Sequence, residues 1–100
     1  MSREIGFKPL ARREFDNAIA WYERREPGLG ARFEAEVNLV LDRVRTNPEQ
    51  FPQFDGAVCK ARVLNFRPYN IYFIAGQDKI IVIAVHDGRR DPEKLKRRLR

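Results

Sequence analysis

The sequence predicts an α+β domain in which a helical hairpin lies on one face of a mainly antiparallel sheet, in the order β-α-α-β-β-β-α. Three observations carry this reading. Two segments with apolar residues at helical spacing are separated by little more than Pro27-Gly28, and helices joined so tightly must double back on each other. The second half of the chain instead shows short alternating or continuous apolar stretches divided by turn residues, the pattern of strands. Neither helical stripe is broad enough to be buried by the other alone, so a sheet must cover them. One hundred residues allow a single domain, residues 1–100, with one modest core.

Taken in order, residues 3–7 place Ile5 and Phe7 against Glu4 and Gly6 and read as a half-buried strand. Pro9 suits a first helical turn, where its missing N–H would be unpaired anyway. Ala11, Phe15, Ala18 and Tyr22, widened by Ile19, then define a helix over about 9–25. Leu29, Phe33, Val37, Val40, Leu41 and Val44 define a second over about 29–46, stopped by Asn47-Pro48. Residues 48–57 read as a loop with Phe51 and Phe54 turned inward. Residues 58–66 alternate, with Cys59, Ala61 and Val63 on one side and Lys60 and Arg62 on the other. Residues 69–75 form a strand ending at the Gly76-Gln77-Asp78 turn. The run Ile80 to Val85 is apolar throughout, as in a strand covered on both faces. From Asp91-Pro92 onward the chain forms a short basic helix reaching the terminus. Trp21 and Tyr22 read as packing residues, Tyr72 as a residue with room to be exposed on the face opposite Tyr69, and Cys59 as a buried, inert thiol.

The charge balance is the unusual number. Twenty Lys and Arg face 14 Asp and Glu, a net +6, and 15 of the 20 cations are arginine. The excess is not spread evenly: residues 86–100 alone carry +4. Arginine presents a planar fork suited to phosphates and carboxylates, which points to nucleic acid or an acidic protein as partner, against a basic surface that merely keeps the chain soluble. Strand parity sets Lys60 and Arg62 on the face away from the hairpin, where a meander would bring His86, Arg89 and Arg90 into one concave basic surface. Several classes are excluded. No apolar run is long enough to span a membrane, and the start of the chain lacks the apolar stretch of a signal peptide. One cysteine makes no internal disulfide and fits a reducing cytoplasm. One Cys and one His cannot build a four-ligand zinc site from nitrogen and sulfur, and the scattered glycines make no phosphate loop, so no cofactor is expected.

The ordered series of short matches resembles a known family. Ala20-Trp21-Tyr22-Glu23, Pro27-Gly28-Leu29-Gly30 and Phe33 are similar to the helical hairpin of RelE/ParE toxins, the plasmid-stabilisation proteins of bacterial type II toxin–antitoxin modules. Asn47-Pro48 through Phe51-Pro52, the stretch Arg62 to Tyr72, and Val85-His86 with Arg89-Arg90-Asp91-Pro92 continue the match, which is nearest the ParE branch. The resemblance implies a growth-arresting cytoplasmic toxin neutralised by a cognate antitoxin. It implies one of two targets: DNA gyrase for the ParE type, or ribosome-bound mRNA, cut through the ribose 2′-hydroxyl, for the RelE type. Target- or antitoxin-binding candidates are Lys60, Arg62, His86, Arg89, Arg90 and Arg97. For a nuclease the catalytic candidates are His86, Arg62, Arg89 and Arg90, since cleavage needs an acid–base group and cations around the phosphate. Many RelE-type nucleases carry a tyrosine or another titrating group near the C-terminus; after Tyr72 this chain offers only His86. A non-toxic basic module that binds nucleic acid is a further alternative from a different class.

Overall fold

The computed structural model describes residues 3–99. Strand β1 (Glu4–Phe7) leads into helices α1 (Pro9–Arg25) and α2 (Leu29–Thr46), followed by a single 3-10 turn at Pro48–Gln50. Four strands follow, β2 (Gln53–Asp55), β3 (Val58–Arg62), β4 (Tyr69–Ala75) and β5 (Lys79–Asp87), and then helix α3 (Pro92–Leu99). The five strands form one sheet in the order β1-β5-β4-β3-β2. All neighbours are antiparallel except β1, which runs parallel to β5 along Glu4–Phe7. Both hairpin helices run between the expected residues. The order gains one strand over the sequence reading, β2, inside the segment read as a loop. It is three residues long, irregularly paired to β3 and bounded by Pro52 and a left-handed Gly56, too short to leave a periodic signal. The terminal helix was expected to reach the end of the chain; Arg100 lies outside the described residues.

The hairpin's turn is built from a carboxylate and two glycines. Gly28 caps α2 at a φ of 90°, a backbone open to glycine at little cost. Glu23 of α1 accepts the N–H groups of Gly28 (2.9 Å) and Gly30 (3.0 Å), satisfying donors that the start of α2 leaves open. A Cβ on Gly30 would meet the Ile19 carbonyl oxygen at 2.6 Å, so the absent side chain lets the two helices close. Ala11, Phe15, Phe33, Val37 and Val44 then bury against Ile71, Phe73, Ile80 and Val82 of the sheet. Tyr22, Phe33, Phe66 and Tyr69 meet in edge-to-face and tilted contacts with ring centroids 5.0–6.0 Å apart.

A second, smaller core lies on the opposite face, where α3 seats Leu95 against Val58, Tyr72 and Ala84. This explains the unbroken apolar run of β5, and it corrects the exposure expected for Tyr72, which is only 2% exposed. One residue divides the run between the two cores. Phe73 pairs with Val82 and Tyr72 with Ala84, leaving Ile83 as an extra residue, a β-bulge. Before it Ile80 and Val82 face the hairpin; after it Ala84 faces α3, and Val85 returns to the hairpin core. Strand β3 also stops at Arg62 rather than 66, because Asn65 takes a φ of 69° and turns the chain toward β4.

Candidate functional site

The sheet places the basic candidates in rows. Arg62 pairs with Asn70, and Asn70 with His86, so these three cross β3, β4 and β5 in one line. At about 4.8 Å per strand, Arg62 and His86 stand roughly 10 Å apart on the α3 face. Lys60 opens the next row, opposite Tyr72. Its ammonium lies 5.9 Å from the Phe54 ring, and Lys96 of α3 lies 5.5 Å from the same ring. The expected face of Lys60, Arg62 and His86 is therefore formed, but α3 covers its lower half instead of leaving it open. A helix with Leu95 and Leu99 on one side must bury them, and this apolar ground beside β5 is available.

Arg89 and Arg90 do not join that face. Beyond Gly88 the chain turns toward α1, and the Asp87 carboxylate holds the turn. Asp87 accepts the Arg89 backbone N–H at 2.8 Å and its guanidinium at 3.2 and 2.9 Å. These bonds hold the Asp87 carboxyl below its ordinary range. Asp91 is also spent structurally, accepting the N–H groups of Glu93 and Lys94 as the cap of α3. Arg90 has no carboxylate within ion-pair distance among the described residues. Arg97 is exposed on α3 and lines neither cavity of this region.

A cleft of about 820 Å³ opens between the C-terminal half of α1 and the ends of β4 and β5. Arg89, Arg90 and His86 line it, together with residues the sequence reading left out as site residues: Trp21, Tyr22 and Tyr69, with Arg24, Arg25 and Arg67. Trp21, read as a packing residue, is 44% exposed, and the Arg25 guanidinium sits 4.6 Å from its ring centre. The helix turns Trp21 about 100° from Tyr22, so Tyr22 meets the core while Trp21 is left at its margin. The available signal was the crowding of Trp21, Tyr22, Arg24 and Arg25 into one helical turn and a half. Burial raises the Tyr22 and Tyr69 hydroxyls above their ordinary pKa, with Tyr69 and Asp87 adding to it in Tyr22, and Asp87 and Glu14 in Tyr69. A smaller cavity of about 450 Å³ shares Glu14, His86 and Arg90 with the first and reaches Lys94 and Arg98 of α3.

His86 stands where these surfaces meet. Burial pushes its pKa down, against the opposing pull of Glu14, and its Nδ1 is buried without a hydrogen-bond partner. Glu14 closes the exposed edge of β5 where β1 has ended. Its carboxylate accepts the Val85 N–H at 3.0 Å and grips Arg98 at 2.7 and 2.9 Å, while Arg98 also donates to the Ile83 carbonyl at 3.1 Å. Cys59 faces the hairpin side, partly buried, and burial raises its thiol pKa. Among the described residues no cluster of His, Cys, Asp and Glu is placed to hold a metal ion. No described helix is long and apolar enough to cross a membrane.

A solved structure described as "Chromosomal ParDE TA system from P. aeruginosa" matches with a TM-score of 0.73 at 11% identity, covering 86% of this chain and 96% of that one. At that identity the likeness speaks for the fold. A search of curated proteins gives no match. The sequence profile of the family described as "ParE toxin of type II toxin-antitoxin system, parDE" matches residues 5–92, and the chain belongs to that family.

Proposed function

We propose that the chain is a growth-arresting toxin of the cytoplasm, held inactive by a cognate antitoxin and acting by inhibition of DNA gyrase. The observation that carries this reading is the contrast in how charges are used around the end of β5. The carboxylates there are spent on structure, Asp87 on Arg89, Asp91 on the α3 cap and Glu14 on Arg98. The arginines Arg24, Arg67 and Arg90 are left without ion-pair partners among the described residues. Such a surface suits capture of an acidic protein face, with bidentate guanidinium–carboxylate bonds supplying orientation. An antitoxin competing for the same arginines would silence it.

One observation favours a second reading, a ribosome-dependent mRNA endonuclease. The row Arg62–Asn70–His86 puts a cation and a titratable ring on one face at roughly 10 Å, a span that admits a phosphate between them. Against it, Arg89 is committed to Asp87, and the His86 ring has one nitrogen buried.

The test is induction of the chain alone with translation and DNA supercoiling read together. The proposal expects growth arrest with filamentation, and loss of supercoiling when purified gyrase meets purified protein. Prompt loss of translation with cut transcripts and normal gyrase replaces it with the nuclease. Normal growth at confirmed soluble expression refutes both and leaves a non-toxic nucleic-acid-binding module. Replacing Arg89 and Arg90 with Ala is expected to abolish the arrest; undiminished arrest refutes a role for that end of β5.

A further inference from the structure

The cleft beside α1 has a chemistry of its own, apart from the choice of macromolecular target. Three kinds of group converge there. Trp21 offers an exposed indole, 44% accessible, whose ring already carries a guanidinium at 4.6 Å. Arg67, just before β4, and Arg90, just after β5, bring cations with no carboxylate in ion-pair reach among the described residues. Tyr22 and Tyr69 line the same space, and neither hydroxyl is hydrogen-bonded to another described residue. The carboxylates at the walls, Glu14 and Asp87, are already paired to Arg98 and Arg89, so they do not neutralise the other arginines. An indole that accepts stacking, free guanidinium forks and hydroxyl donors form the set that recognises a base, a phosphate and a sugar edge.

We infer that this cleft is a binding site for a nucleoside phosphate, with the base against Trp21 and the phosphate between Arg67 and Arg90. The volume of about 820 Å³ lies within the roughly 300–1,000 Å³ of small-ligand sites. It accommodates one nucleotide and is too small to enclose a helical peptide. An acidic peptide would satisfy the arginines but would bring no aromatic ring to the exposed part of the indole. Two sources share the chemistry: a free nucleotide, or one nucleotide of a single strand.

The chain contains a single tryptophan, so the site carries its own reporter. Trp21 emission is followed in purified protein at low salt while ATP, AMP, adenosine, inorganic phosphate, a 5′-phosphorylated tetra-adenylate and a glutamate oligomer are added in turn. Saturable quenching is expected from ATP, more weakly from AMP, and not from adenosine or phosphate alone. Quenching by tetra-adenylate that saturates at lower concentration than by ATP identifies a strand as the source, and the reverse order identifies a free nucleotide. Arg67→Ala and Arg90→Ala are each expected to weaken ATP binding by about tenfold, the loss of one charge-assisted contact. Arg43→Ala, on the exposed face of α2, is expected to leave it unchanged. Both cleft arginines are exposed, and an unaltered melting temperature separates lost binding from lost fold. The inference is overturned if no nucleotide saturates the quench, if the glutamate oligomer acts as well as ATP, or if both arginine variants bind ATP like the parent. Because binding is read on the isolated protein, failure here leaves the gyrase reading untouched, and failure of that reading leaves this site untouched.

Discussion

Replacement of Glu14 by Ala removes the group that stands in for a strand along β5. In the parent, one carboxylate accepts the Val85 N–H at 3.0 Å and both Arg98 nitrogens at 2.7 and 2.9 Å. Two losses follow. The Val85 N–H, partly buried, is left without a partner, at a cost of about 1–3 kcal/mol. The ion pair also disappears. Its side chains are 27% and 21% exposed, so its worth lies between the exposed and buried extremes, about 1–2 kcal/mol. Together Glu14→Ala should cost about 3 kcal/mol, a large part of the roughly 5–15 kcal/mol that holds a small domain folded. Arg98→Ala loses the pair and the bond to the Ile83 carbonyl but keeps Glu14 on Val85, so it should cost about 2 kcal/mol. The double variant should cost about 1–2 kcal/mol less than the sum, because the pair is broken only once. Urea unfolding followed by far-ultraviolet circular dichroism gives all four corners of the cycle. Limited trypsin digestion adds a local readout, since α3 carries Lys94, Lys96 and Arg97, and both single variants should be cut there sooner. A coupling energy indistinguishable from zero, or unchanged cutting within α3, would refute the view that this ion pair seals the edge of β5 and fastens the last helix.

Other perturbations test other parts of the molecule. Gly30→Ala gains about 1 kcal/mol of helix propensity but forces a Cβ within 2.6 Å of the Ile19 carbonyl oxygen, and overpacking of about 1–3 kcal/mol should win; a melting temperature equal to or above the parent's would show that the hairpin can spread at no cost. Leu95→Ala empties a site that is 3% exposed and should cost about 2–4 kcal/mol, with faster amide exchange in α3, since eight residues cannot hold a helix unaided; slow exchange in the variant would contradict this. The His86 pKa lies below its ordinary 6.5 in the folded chain, so the unfolded chain binds the extra proton first. Its contribution to stability is complete above pH 6.5 and is lost as pH falls through the folded value. Urea midpoints should therefore drop as pH falls below 6.5, with His86→Gln flattening that slope, and an equal slope in the variant would assign the titration elsewhere. Asp87 adds a second drop below its ordinary 3.8, through Arg89.

The elements that repeat a period over many residues were legible in advance. Both hairpin helices, with Phe15, Phe33, Val37 and Val44 buried as the stripes imply, needed only the 3.6-residue spacing and the Pro27-Gly28 break. The same holds for β4 and for the parity of Lys60 and Arg62 against Cys59 and Ala61. What escaped depends on single residues or on distant partners. Strand β2 is too short for a period, and Asn65 ends β3 through one left-handed residue that no alternation announces. The seat of α3 is a tertiary choice made by Leu95 among the surfaces available to it. The candidate site divided for the same reason. Strand parity located Arg62 and His86, but the direction of Arg89 and Arg90 is set by Asp87 bonding back to its own loop. The cleft then required a helix face and a β turn more than forty residues apart in sequence, Trp21 and Arg67 among them, and no local pattern records that meeting.

The extra residue in β5 has a consequence for how this chain can change over generations. Because Ile83 lies between Val82 and Ala84 without a cross-strand partner, it sets the phase of everything that follows it in the strand. With it, Ala84 and His86 share one side of the sheet. Were it deleted, Phe73–Val82 and Tyr72–Ala84 would close into a regular ladder with every facing kept; were it kept but drawn into the ladder, the residues after it would slip by one, and a polar ring and an aliphatic neighbour would trade sides. Point substitutions can tune the charge at the end of the strand one residue at a time. A one-residue gain after the bulge, taken up as regular ladder, would instead exchange the entire outward-facing set in a single step, swapping what a partner meets while the strand's own composition stays almost the same. In this chain, the identity of the exposed surface is written in a count as much as in a choice of side chains.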